Sequence, residues 1–197
     1  MNKYELYCLD TESTGLDPIK NDIIELSIYR LSTDEQKTWL IKPTNISNID
    51  VGALRVNKHK LEDITHQTKY GKDTYADANK VIVEVENWLS EDNLPSENRV
   101  MLAQNTRFDY NMLEQLWTKC NSIDSFPFGR RYLDTMQIEF FFDVCMGQFA
   151  EGYSLANIIK KYGISNIKAH TAASDTLATK QVFEKQIEFM RKLLKNG

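Results

Sequence analysis

Short apolar, β-prone runs dominate the first part of the chain. Tyr4 to Leu9 reads as a strand that ends at Asp10, Ile23 to Leu31 as a second bounded by Asn21-Asp22, and Thr38 to Lys42 as a third stopped by Pro43. Short connections between them predict an antiparallel meander. Between residues 43 and 73 turn residues alternate with small apolar groups such as Ala53-Leu54 and Leu61, and no element is predicted. Regularity returns at Thr74, read as an N-cap. Ala78, Val81, Ile82, Val85, Trp88 and Leu89 then recur at helical spacing. Val100 to Ala103 is long enough only for a strand, and a helix carrying Met112, Leu113, Leu116 and Trp117 follows. Tyr132 to Met136 is a fifth strand. Ser154 caps a helix running to Tyr162 with Gly163 placed to end it, and a last helix spans Thr171 to Leu194. Early antiparallel strands followed by strand–helix alternation predict a single α/β domain with a mixed sheet covered on both faces.

Composition narrows the function classes. At 197 residues, 42% hydrophobic and 26% charged, the chain has the make-up of a globular domain that buries a sizeable core. A net charge of −4 argues against a protein that grips nucleic acid mainly by neutralising phosphates. Clustered carboxylates that hold cations are compatible with the same charge. Cys8, Cys120 and Cys145 are odd in number and lack ligand spacing, which points to reduced thiols in a cytoplasmic protein rather than a disulfide or zinc framework. Early charges at Glu5 and Asp10 exclude a signal-peptide apolar region, and no apolar run reaches the roughly 18 residues of a membrane span.

Four acids fall at informative places. Asp10 and Glu12 lie two apart where the first strand runs out, so both side chains share a face. Ser13-Thr14-Gly15 then forms a turn expected to offer free backbone N–H groups. Asp109 sits near the start of a helix beyond the fourth strand, where the helix dipole alone would favour an acid. Asp175 follows the small residues Thr171-Ala172-Ala173-Ser174, which allow close packing or leave room for a ligand, and His170 precedes them. His59 and His66 read as surface or capping residues. If the first and fourth strands are neighbours, the segments bearing Asp10, Glu12 and Asp109 meet at one sheet edge, and a final helix packed there adds Asp175 and His170. Four carboxylates so placed raise one another's pKa unless cations are bound. An all-oxygen site of this kind suits Mg²⁺ or Mn²⁺.

The segment LDTESTGLDP resembles the first motif of the DEDDh exonucleases, the group that includes the proofreading subunit of bacterial replicative polymerase, ribonuclease T and oligoribonuclease. AQNTRFDYNML resembles the second motif. HTAASDTLAT resembles the third, with histidine five residues before the aspartate. YSLANIIKKYGI and YLDTMQ resemble connecting segments, so the similarity spans about residues 4 to 185. The resemblance implies a ribonuclease H-like fold, with three antiparallel and then two parallel strands, and two divalent cations. Asp10 would bridge both ions, Glu12 and Asp175 would complete the tighter site, Asp109 would serve the second ion through water, and His170 would be the general base. It also implies that Ser13, Thr14 and Gly15 meet the terminal 3′-OH. Leu16 either wedges against the last bases or is a buried turn residue. Asn105 lines the pocket or ties down its loop, Phe108 is weighed as core against a base-stacking platform, and Asp134 is read as a structural cap. Gln104 and Ser13 depart from the histidine and threonine that many members carry, without removing a metal ligand.

The expected substrate is the 3′ end of DNA, with RNA trimming as the rival. PTNISNIDVGALRVNKHKLEDI resembles the segment after the third strand in proofreading and phage-type exonucleases, and the acidic chain lacks the basic, aromatic-rich patch of a dedicated RNA-end binder. Only 22 residues follow Asp175, so no polymerase tether of the proofreading-subunit kind is expected. An apolar face of Val182, Phe183, Ile187 and Met190 is read as core rather than as an interface, and dimerisation is left open. A catalytically dead scaffold is disfavoured because all five chemical positions are intact.

Overall fold

A computed structural model of the chain describes residues 3–65, 74–165 and 171–196. Its five strands are β1 (Glu5–Ser13), β2 (Ile23–Arg30), β3 (Glu35–Leu40), β4 (Arg99–Ala103) and β5 (Tyr132–Asp134). They lie in the order β3-β2-β1-β4-β5. β2 pairs antiparallel with both β1 and β3, while β4 pairs parallel with β1 and β5. The mixed five-stranded sheet expected from the sequence is therefore present. The helices are α1 (Val51–Asn57), α2 (Leu61–Thr65), α3 (Ala78–Ser90), α4 (Thr106–Lys119), α5 (Thr135–Met146), α6 (Leu155–Lys161) and α7 (Ala172–Asn196).

Alternation along β1 divides the core. Tyr7 and Leu9 face α3 and α4, packing with Val81, Val85, Trp88, Met112, Leu113 and Trp117. Cys8 faces the other side, with Tyr29, Leu102 and Phe183 of α7. The apolar stripes of α3, α4 and α7 thus cover both sheet faces, as a helix with one apolar side requires. Of the face read as core, Val182 and Phe183 are buried, whereas Ile187 and Met190 are half-buried and, with Phe183, line an apolar pocket beside α5. Among the described residues no helix is long and apolar enough to cross a membrane.

Several boundaries differ from those read off the sequence. β1 does not stop at Asp10 but continues through Glu12 to Ser13, because β2 goes on supplying partners up to Ser13↔Ile23. β3 begins three residues earlier than expected, at Glu35, since its mostly exposed edge position tolerates charged residues. β5 ends at Asp134, whose side chain accepts from the N–H groups of Met136 and Gln137 and starts α5. The cap of α3 is Asp77, which accepts from Asn79 N–H, not Thr74. The segment after β3, for which no element was predicted, holds α1 and α2. They are too short to show helical periodicity and are held through Leu54 and Ile64, which pack on Ile24 and Tyr75.

Candidate active site

The extension of β1 past Asp10 builds the site. β4 accompanies β1 only as far as Cys8↔Leu102, so Thr11 lies beyond the last parallel pair. Its N–H and hydroxyl both donate to Asp109 Oδ1, at 3.0 and 2.8 Å, from the first turn of α4. Thr11 shares the face of Leu9, whereas Asp10 and Glu12 project to the opposite face, under α7.

α7 is fastened over this end of the sheet by small residues. Ala172, Thr176, Ala178 and Thr179 are fully buried against it. Cys8 Sγ donates to Thr176 O at 3.3 Å, and Gln36 Nε2 donates to Ala173 O at 2.8 Å. Asp175, in the first turn, is thereby brought to β1. Carboxylate oxygens of Asp10, Glu12 and Asp175 all lie within 4.8 Å of one another. Of the four acids that the sequence brings to this edge, these three form the tight group among the described residues. Asp109 stands beside them: it accepts from Thr11, and its charge bears on Asp10 ahead of those of Glu12 and Asp175. His170 lies outside the described residues, as does His66.

The electrostatics fit a cation. Burial, and then the charges of Asp109, Glu12 and Asp175, hold the Asp10 carboxyl well above its ordinary value. Burial and the neighbouring Asp175 and Glu25 raise Glu12 to about 7. Asp109 is raised to about 7 by burial, against the lowering effect of its bonds from Thr11. Groups that resist ionisation side by side would ionise readily around a divalent ion, and three convergent carboxylates are the hard-oxygen donors that Mg²⁺ or Mn²⁺ takes. The donor set therefore suits the metal implied by the motifs.

The turn after β1 is more constrained than its composition suggested. Thr14 N–H is not free: it donates to Asp22 O at 2.9 Å, while the Thr14 hydroxyl accepts from Asp22 N–H. Ser13 Oγ donates to Gly15 O, and both Ser13 and Thr14 are buried. A Cβ on Gly15 would stand 2.6 Å from the Asn21 side chain, so only glycine fits there. Leu16, by contrast, is 82% exposed, which excludes the buried-turn reading. Phe108 packs against the core, as weighed from the sequence. Asn105 takes a left-handed φ of 61°, and its N–H donates to Asp134 Oδ1, tying the loop down. Gln104 bridges Thr135 Oγ1 and Tyr153 O, giving it a structural task.

Three residues near the site escaped the sequence reading. Val56 is exposed on α1, and α1 is fastened beside the site by Asn57 Nδ2 to Ser13 O (3.0 Å) and Asp50 N–H to Thr14 O (2.7 Å). Glu25 is the cross-strand partner of Glu12. His59 is no surface residue: its side chain is 9% exposed and its Nε2 lies 3.0 Å from Glu25. Only the β1–β2 register and the fold of the segment after β3 bring these together, and neither leaves a motif in sequence.

The exonuclease family model of the ribonuclease T type matches residues 7–183. The chain belongs to this exonuclease family. Among relatives of the exonuclease domain, the PolC-type DNA polymerase III of Thermotoga petrophila is 29% identical over 94% of the chain. The chain spans only 12% of that relative's length. The exonuclease fold is shared with the zinc-bound E. coli exonuclease I–single-stranded DNA complex (TM-score 0.72, 16% identity, 96% of this chain and 41% of that one). It is likewise shared with cell-death related nuclease 4 (TM-score 0.73, 16% identity, 94% and 64%).

Proposed function

We propose that the protein is a two-metal 3′→5′ exonuclease that removes nucleoside 5′-monophosphates from the 3′ ends of DNA. The observation that carries this reading is the convergence of Asp10, Glu12 and Asp175 where α7 crosses the end of β1. Bound Mg²⁺ or Mn²⁺ would polarise the phosphodiester and lower the pKa of a water, as in paired-ion phosphoryl displacement. Asp10, central to the carboxylates, would be the shared ligand, with Glu12 and Asp175 completing one ion's set and Asp109 serving the other ion. His170, from the third motif, takes the proton of the attacking water, a role suited to an imidazole of near-neutral pKa. Water oxygen bonds to phosphorus, the bond from phosphorus to the preceding nucleotide's 3′ oxygen breaks, that oxygen takes a proton from solvent to become the strand's new 3′-OH, and the nucleoside 5′-monophosphate is released.

Leu16 and Val56 offer apolar surface for the terminal bases, beside the backbone of Ser13 to Gly15. Preference for DNA is supported by two likenesses: the curated relatives are DNA polymerases, and the exonuclease I neighbour is bound to single-stranded DNA. The test is digestion of 3′-labelled single-stranded DNA, duplex DNA and RNA with Mg²⁺, Mn²⁺ or chelator. Label is expected to be lost from DNA with metal only. Loss from RNA alone would overturn the substrate choice, and no hydrolysis of any substrate with either metal would overturn the enzyme.

A further inference from the structure

Glu12 and Glu25 face each other across β1 and β2. Cross-strand partners project to the same face with their Cβ atoms about 5 Å apart, so these two acids compete for the same space. Glu25 is 6% exposed, and its charge bears on both Asp10 and Glu12. Yet it is not one of the three acids whose oxygens converge. Its carboxylate is taken by His59, whose Nε2 lies 3.0 Å away, while Nδ1 of the same ring lies 2.7 Å from the Tyr75 hydroxyl. Both ring nitrogens are thus engaged, which fixes the imidazole in one orientation. Its anchor is firm: Tyr75 belongs to the apolar cluster of Ile24, Leu54 and Ile64. The chain reaches His59 through Lys58, held at a left-handed φ of 62° at the end of α1.

We propose that His59 is a positioning residue of the metal site: it captures the Glu25 carboxylate, so that of the two facing acids only Glu12 binds an ion. A carboxylate beside a divalent ion joins its ligands unless a stronger geometric claim holds it elsewhere. The Tyr75–His59–Glu25 chain makes that claim and so sets the number of acids that the ions meet. The proposal rests on reading Asp10, Glu12 and Asp175 as a divalent-ion site.

Calorimetric titration of the full chain with Mn²⁺ alone tests it. His59→Ala frees Glu25 and is expected to bind Mn²⁺ roughly ten-fold tighter, because affinity follows the number of charged ligands. His59→Gln keeps an amide donor toward Glu25 and is expected to retain wild-type affinity. Glu25→Gln combined with His59→Ala is expected to return to it. Should His59→Ala fail to fold, His59→Asn, which is too short to reach Glu25, carries the same expectation. Unchanged or weaker binding after loss of His59 would overturn the proposal, as would tighter binding that persists with Glu25→Gln. Wild-type protein that binds no Mn²⁺ would overturn the metal-site reading itself, which the same titration separates from failure of His59 alone.

Discussion

A site that crowds carboxylates for a cation should burden the metal-free protein, and Glu12→Gln measures that burden. Glu12 ordinarily titrates near 4.5 and is raised here to about 7, by burial and then by Asp175 and Glu25. At roughly 1.4 kcal/mol per unit the shift corresponds nominally to about 3 kcal/mol. Because part of the side chain meets solvent, screening reduces this to about 1–2 kcal/mol. The sign follows from proton binding. The folded state holds a proton on Glu12 that the unfolded chain releases between about 4.5 and 7, so stability falls as pH rises through that window. Above about 7 the folded carboxyl is ionised too, and the penalty is fully present. The isosteric amide removes it. In chelator at pH 8, Glu12→Gln should therefore melt higher than wild type, by roughly 2–8 °C for a chain of this size. At pH 4, below the unfolded value of 4.5, the two should converge. With Mn²⁺ added at pH 8 the order should reverse, since the wild type gains a ligand that the variant cannot hold as well. The assay is thermal unfolding followed by circular dichroism across these conditions. A variant that melts lower than wild type in chelator at pH 8, or a difference indifferent to pH, would refute the electrostatic account of the site.

Two further outcomes separate chemistry from scaffolding. His170→Ala should slow DNA digestion on the order of 10²–10⁴-fold through lost general-base help, and flatten the acid limb of the pH–rate profile; an unchanged limb would remove His170 from its role. Asp134 accepts from the N–H groups of Asn105, Thr106, Met136 and Gln137 while buried. Asp134→Ala should cost about 1–3 kcal/mol in urea unfolding. Mn²⁺ affinity should be retained in the folded variant, and its loss would show that Asp134 belongs to the ion site after all.

The order of the strands and of the longer helices, the three motifs and the four acids were legible in the sequence, because each rests on local spacing. A strand buries alternate residues and a helix every third or fourth, so Leu9 against Asp10, or Val81 with Val85, can be assigned without a fold. Asp10 and Glu12 sharing a face follows from the same rule. Tertiary structure alone decided which acids meet. The early end of β4 leaves Thr11 to claim Asp109, and the small residues of α7 bring Asp175 onto β1. It also decided the fate of His59, which composition assigns to the surface and the fold buries against Glu25. The 34 residues from His59 back to Glu25 carry no periodicity that links them. Only the pairing of β1 with β2, and the packing of Leu54 and Ile64 that holds the segment after β3, bring histidine to carboxylate. Long-range contacts of this kind are fixed by the shape of the whole core, which no local pattern encodes.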